Sequence, residues 1–239
     1  MSPERRIRAV FFDLYGTLSR IDPPREVIQS RAAAEVGLTL TKEGVDAGYA
    51  LADVHMAEQT ARAPLGQLSA EEQRRFFAGY EQLVLRGAGH DVDLKTAETV
   101  WAAVRRQKYG FALFDDVIPC LDALRSDGYV VAVLTNMDRD GDTLADGLGF
   151  RSHVEFTLTS REVGVGKPHL PMFAAALQRA GAAPGEAVHV GDQLDSDVEG
   201  ALAAGLSAVL MDRYGNHAAY TNCPRITALA ELPAVLAGL

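Results

Sequence analysis

The chain is 239 residues long, 48% hydrophobic and 23% charged, with a mean hydropathy near zero, the makeup of a soluble folded protein rather than a disordered one. A formal net charge of -9 argues against nucleic acid as a partner, because phosphate backbones are bound by surplus Lys and Arg, although a local site can still take a small anion. No apolar run approaches the roughly 20 residues that span a bilayer, and the stretch from Ala9 stops on Asp13, too short for the core of a signal peptide, so no membrane segment and a cytoplasmic location are expected.

In chain order, residues 8–14 are the first short apolar run and read as a buried strand. No convincing strand pattern follows until about residue 112. Instead Asp22-Pro23-Pro24 reads as a cap-then-proline start of a helix running to Gly37, and Thr41 opens a second helix to about Gln59. Ser69-Ala70-Glu71-Glu72 is a capping box before Phe76, Phe77, Tyr80, Leu83 and Val84, which recur at helical spacing up to Gly87. A fourth helix, 94–107, gathers Val100, Trp101 and Val104, and Phe76, Phe77 and Trp101 are expected in the core of this segment rather than against a substrate.

Beyond it the pattern alternates: helix 116–126 closed by Gly128, strand 129–135, strand 154–159, helix 170–180 closed by Gly181, strand 187–192, helix 197–204 closed by Gly205, and strand 207–212. Strands alternating with helices predict βαβ units, hence an α/β fold with a doubly wound, mainly parallel sheet. The helical stretch is then an insert, an all-helical domain of residues 19–112 set into a sheet domain of residues 1–18 and 113–239. Its hinges are expected near Ser19 and Gly110, and closing a lid over a site is a common use of such an insert. Cys120 and Cys223 lie far apart in no metal-ligand spacing and are expected as reduced, mostly buried thiols.

Ligands of open parallel sheets bind beyond the carboxyl ends of the strands. Those ends carry Asp13, then Thr135-Asn136, then Gly191-Asp192 with Asp195 and Asp197 just after, while Lys167 stands before Pro168 at the start of a helix. Two carboxylates, a hydroxyl, loop N–H groups and an ammonium on one rim are the equipment for handling a phosphoryl group with a divalent cation. Asp13 is the expected nucleophile, forming an aspartyl phosphate that water hydrolyses. Mg2+, a hard cation content with one or two carboxylates plus phosphate and waters, is the expected metal, held by Asp13 and Asp192. Thr135 and the Asn136 amide are expected on phosphoryl oxygens, and Lys167 is expected to neutralise charge on nucleophile and phosphate. Asp197 divides between ordering the metal's surroundings and capping a helix, and Asp195 reads as a surface or capping acid. Thr17 is expected to secure the turn after Asp13, while His55, His153, His169, His189 and His217 read as structural or surface residues, with a reservation for His55 on the inserted helices.

Taken together, Asp13-Leu14-Tyr15-Gly16-Thr17, Leu134-Thr135-Asn136, Lys167-Pro168 and Val190-Gly191-Asp192 with Asp197 resemble, in order, the four motifs of the haloacid dehalogenase-like (HAD) hydrolase superfamily, subfamily I, with a helical C1-type cap. The likeness covers nearly the whole chain and implies a Rossmann-like core and a phosphatase acting on a small phosphorylated metabolite. It also implies that the Tyr15 carbonyl joins Asp13 and Asp192 at the metal. Phosphatases of the family usually carry an acid at the place of Tyr15, to protonate the leaving oxygen. Tyr15 keeps the carbonyl and loses the acid, and with a phenol pKa of about 10 it replaces that acid poorly, so acyl or aryl phosphates should suffer least.

The pattern Asp-x-Tyr-Gly-Thr is also similar to that of the 2-haloacid dehalogenases, which need neither metal nor leaving-group acid. Those enzymes typically place small polar residues where Asp192 stands, an Asn where Leu194 stands and Ser-Asn where Thr135-Asn136 stands, and no match for their cap arginine is evident. Asp192 therefore favours the phosphatase. A non-catalytic ligand-binding relative is the remaining alternative.

Overall fold

The computed structural model describes residues 7–62 and 65–239. It divides into two compact units, one comprising the chain up to Arg20 together with Phe111–Leu239, the other Ile21–Gly110. The strands are β1 (Ala9–Phe12), β2 (Ser19–Asp22), β3 (Gly110–Leu113), β4 (Val130–Thr135), β5 (Phe156–Thr159), β6 (Ala187–Gly191), β7 (Ser207–Met211) and β8 (Arg225–Ile226). Six of them form one sheet in the order β5-β4-β1-β6-β7-β8, every neighbouring pair parallel. The expected doubly wound parallel sheet is what forms.

Alternation along the strands explains why helices cover both faces. Val10 and Phe12 of β1, with Val131 and Val133 of β4 and Val188 and Val190 of β6, join one buried cluster. Ala9, Phe11, Ala132, Leu134 and Ala187 join the other. Ten helices flank the strands or build the second unit among the described residues: α1 (Arg25–Ala34), α2 (Lys42–Arg62), α3 (Ala70–Gly87), α4 (Leu94–Arg106), α5 (Val117–Ser126), α6 (Gly141–Leu148), α7 (Ser160–Val163), α8 (Leu170–Ala180), α9 (Gly200–Ala203) and α10 (Leu232–Leu236). Leu121 and Leu124 of α5 and Leu144 of α6 enter the first cluster, and Phe173 and Leu177 of α8 the second. No described helix is long and apolar enough to cross a membrane.

The Ile21–Gly110 unit holds α1 to α4 around two small clusters of its own, one including Ala33, Leu85 and Val100, the other Ala52, Phe76, Tyr80 and Val84. Of the rings expected in the core, Phe76 is buried, whereas Phe77 and Trp101 are only half-buried and lie flat on each other with ring centroids 4.8 Å apart. The Ser69 capping box forms, its Oγ accepting from the Glu72 N–H while Glu72 accepts from the Ser69 N–H. Two expectations fail here. Asp22 does not cap α1: it ends β2, and Pro24 takes the N-cap position with no side-chain bond. The stretch read as free of strands also contains β2 and most of β3, which pair as a separate two-stranded ribbon. Each is only four residues long, too short for an alternating pattern to register.

Glu81 on α3 is completely buried, its Oε2 accepting from Gln29 Nε2 at 3.1 Å. Burial pushes its carboxyl up to about 7, against the pull of that bond.

Candidate active site

The strand order switches beside β1, so the carboxyl ends of β1, β4 and β6 are where an open parallel sheet takes its ligand. Asp13 follows β1 directly, held there by its N–H, which donates to the Val190 carbonyl at 2.8 Å. Its Oδ1 accepts from Lys167 Nζ at 2.6 Å, while its buried Oδ2 has no partner among the described residues. Burial, with the nearby Asp197 and Asp192, raises its pKa to about 7 against the pull of the lysine.

Lys167 is buried and reaches two acids at once, Asp13 and Asp197, each at 2.6 Å. Burial works against its charge, and the two carboxylates more than offset it, so its pKa is raised and the ammonium is firmly charged. The backbone that delivers it is clamped by Asn136: the Lys167 N–H donates to Asn136 Oδ1 at 2.7 Å and Asn136 Nδ2 donates to the Lys167 carbonyl at 2.8 Å. Gly166 makes the clamp possible, since a Cβ there would stand 2.3 Å from Asn136 Oδ1. The Asn136 side chain is thus committed to Lys167, which leaves its backbone amide for the phosphoryl contact expected of it. Thr135 ends β4, buried, with its Oγ1 accepting from the Met137 N–H at 3.3 Å.

Asp192 follows β6, and burial with the charge of Asp197 raises it to about 6. Its Oδ1 accepts from the Thr17 hydroxyl at 3.3 Å. Gly16, at φ 93°, lets the turn after Asp13 come this close, for a Cβ would lie 2.3 Å from Asp192 Oδ2. Thr17 thereby does more than secure its own turn. Tyr15 is 42% exposed, its ring edge-on to Phe111 at 5.7 Å.

Asp197 is not a helix cap. A π-helical turn begins at Leu194, placing Asp197 inside it, where its Oδ2 accepts from the Gln193 N–H at 3.0 Å. Its Oδ1 accepts from Lys167 and, at 3.1 Å, pairs with His189 Nε2. Burial opposes the charge, but the Lys167 ammonium and the His189 bond prevail and hold its carboxyl well below the ordinary carboxylate range. Asp195, two residues before Asp197 in the same π-helical segment, is exposed. His189 is the functional neighbour that sequence reasoning missed. It is buried on β6 with its ring edge-on to Phe173 at 5.5 Å, and alternation along the strand was the available signal, since it points to the face opposite Val188 and Val190. Of the other histidines, His153 meets Asp122 at 2.6 Å and His55 stacks on Phe76 at 5.0 Å. The two cysteines are free thiols, both half-buried, and burial pushes Cys120 up to about 12.

The structure therefore brings Asp13, Lys167, Asp192 and Asp197 together. One oxygen each of Asp13, Asp192 and Asp197 lie within 4.8 Å of one another, a spacing suited to a cation. The donor set fits a hard divalent ion: all oxygen, with Asp13 Oδ2 unpartnered. Asp197 has both oxygens engaged, so Asp13 and Asp192 are the direct candidates and Asp197 the supporting one.

The sequence pattern of the haloacid dehalogenase-like hydrolases matches residues 7–205. Over 208 residues the chain is 29% identical to the ribulose-1,5-bisphosphate 5-phosphatase of Halopiger xanaduensis, covering 85% of this chain and 84% of that protein. A shorter stretch of 91 residues is 42% identical to the mouse haloacid dehalogenase-like hydrolase domain-containing protein 3, 38% of this chain and 36% of that one. A 2-haloacid dehalogenase from Pseudomonas syringae is similar in structure, with a TM-score of 0.55 and 26% identity over 97% of this chain and 99% of that one.

Proposed function

Because the chain belongs to the haloacid dehalogenase-like hydrolase family, we propose that this hydrolase is a Mg2+-dependent phosphatase of small phosphorylated metabolites, working through an aspartyl phosphate at Asp13. The similar proteins have names that point both ways, one a phosphatase and one a dehalogenase. One observation favours the phosphatase: an oxygen of Asp13 and an oxygen of Asp192 lie within 4.8 Å of each other, and Asp13 Oδ2 has no partner among the described residues while its Oδ1 accepts from Lys167. Halide displacement has no use for that second acid, and a cation site needs it.

Asp13, Asp192 and the Tyr15 carbonyl would hold the Mg2+, with Asp197 in support; bound there, the ion offsets the repulsion between an anionic nucleophile and an anionic ester. The chain's own groups do the rest. Asp13 attacks phosphorus, the ester oxygen leaves with its electron pair, and water then cleaves the acyl phosphate to regenerate the carboxylate and release phosphate. Lys167, fixed by Asn136 from behind and by Asp197 from the side, holds its ammonium on the nucleophile and spreads charge on the transferring group. Thr135 and the Asn136 backbone amide take phosphoryl oxygens. The helical unit serves as the cap that selects the substrate, and the two free thiols suit a cytoplasmic setting.

The test is a paired assay of aryl phosphates and 2-haloacids, with Mg2+ and with a chelator. Phosphate release that needs Mg2+ and disappears in Asp13→Asn is the expected result. Chelator-resistant halide release would establish the dehalogenase instead.

A further inference from the structure

Arg213 lies two residues past β7, outside all four motifs, with its side chain only 9% exposed. Its Nε donates to the Thr17 carbonyl at 2.9 Å, and its two terminal nitrogens hold the Asp116 carboxylate at 3.1 and 2.9 Å. The guanidinium carbon also sits 3.9 Å from the centroid of the Phe114 ring, and the Phe114 N–H donates to the Leu18 carbonyl at 3.0 Å. Asp116 is itself pinned by the Leu229 N–H at 3.0 Å. One planar cation thus ties residues 17 and 18 to the start of α5 and to the segment before α10.

The other side of that same turn faces the acids. Thr17 donates its hydroxyl to Asp192, and Gly16 packs against the second Asp192 oxygen. We propose that Arg213 is a positioning residue of the active site: by gripping the Thr17 carbonyl it sets where the Thr17 hydroxyl stands, and so orients Asp192 toward the cation it shares with Asp13. The claim rests on the phosphatase reading above. A lysine keeps the charge but lacks the fork of donors that serves Thr17 and Asp116 together.

The full chain carrying Arg213→Lys, Asp116→Asn, Thr17→Val, or Thr17→Val with either of the first two, is compared with wild type. Mg2+ affinity is measured by calorimetry without substrate, and kcat and KM are measured on an aryl phosphate. Arg213→Lys and Asp116→Asn should each weaken Mg2+ binding and lower kcat by about tenfold, with KM changed by less than about twofold. In the Thr17→Val background either change should add less than about twofold, because the route through Thr17 is already cut. Equal effects in both backgrounds, or a lowered melting temperature with Mg2+ affinity intact, would reduce Arg213 to a structural residue. If Arg213→Lys fails to fold, the Asp116→Asn cycle decides on the same terms. If Asp13→Asn keeps full turnover, the phosphatase reading falls and the positioning claim is judged on Mg2+ affinity alone. Absence of Mg2+ binding by wild type would sink both.

Discussion

In the proposed mechanism Tyr15 stands where an acid would protonate the departing oxygen, and its exposed ring leaves room for a smaller side chain. Turnover should therefore rise steeply as the leaving group becomes more acidic, with alkyl phosphates slow. Tyr15→Asp should raise kcat on an alkyl phosphate by about a hundredfold or more while changing an aryl phosphate little. Equal rates for both ester classes in the wild type would show that another group already supplies the proton. Gly16→Ala probes the neighbouring link: with φ at 93° and a Cβ bound for Asp192 Oδ2, the variant should stay folded and lose Mg2+ activation by about tenfold or more. An unchanged dependence on Mg2+ would remove Asp192 from the metal. At this scale Asp13, Lys167 and Asp192 were legible because each sits at the end of an apolar strand or just before a helix. His189 was not, since its partner Asp197 is brought to it only by the π-helical turn, and neither was Arg213, whose partners lie at residues 17 and 116.

Among elements, five of the six sheet strands, all but β8, followed from hydrophobic runs, and the caps of α2 and α3 followed from Thr41 and Ser69. The short strands β2, β3 and β8 and the helix α6 escaped notice, and so did the start of the helix around Asp197. A run of Leu-Asp-Ser-Asp reads as a loop followed by a cap, whereas the chain turns at Leu194 and spends the Asp197 side chain on tertiary bonds. Helix α3 carries a separate liability in Glu81. The folded chain keeps this carboxyl protonated up to about pH 7, while its ordinary value is 4.5. Between those two values the folded state holds a proton that the unfolded chain has released, so stability falls as pH rises through the window, by about 3 kcal/mol in total, and is level above it. Glu81→Gln should consequently melt with wild type near pH 4.5 and several degrees above it at pH 8, as thermal denaturation followed by circular dichroism would record. Coincident melting curves at pH 8 would mean that water reaches the carboxylate.

For the molecule as a whole, the buried clusters divide as the chain does: those of the sheet unit draw on no described residue between 21 and 110, and those of the helical unit draw on none outside that span. Residues 19–112 expressed alone should therefore fold, showing a helical spectrum and a cooperative thermal transition. A featureless melt would mean that the helical bundle depends on the sheet for its order. The pairing of β2 with β3 adds a practical corollary, because it brings the entry and exit of the whole bundle side by side, while every proposed reacting group belongs to the sheet unit. On the proposed reading the bundle should be exchangeable as a unit. A bundle taken from a relative and spliced at the same doorway should alter which ester is accepted while leaving the hydrolytic engine in place.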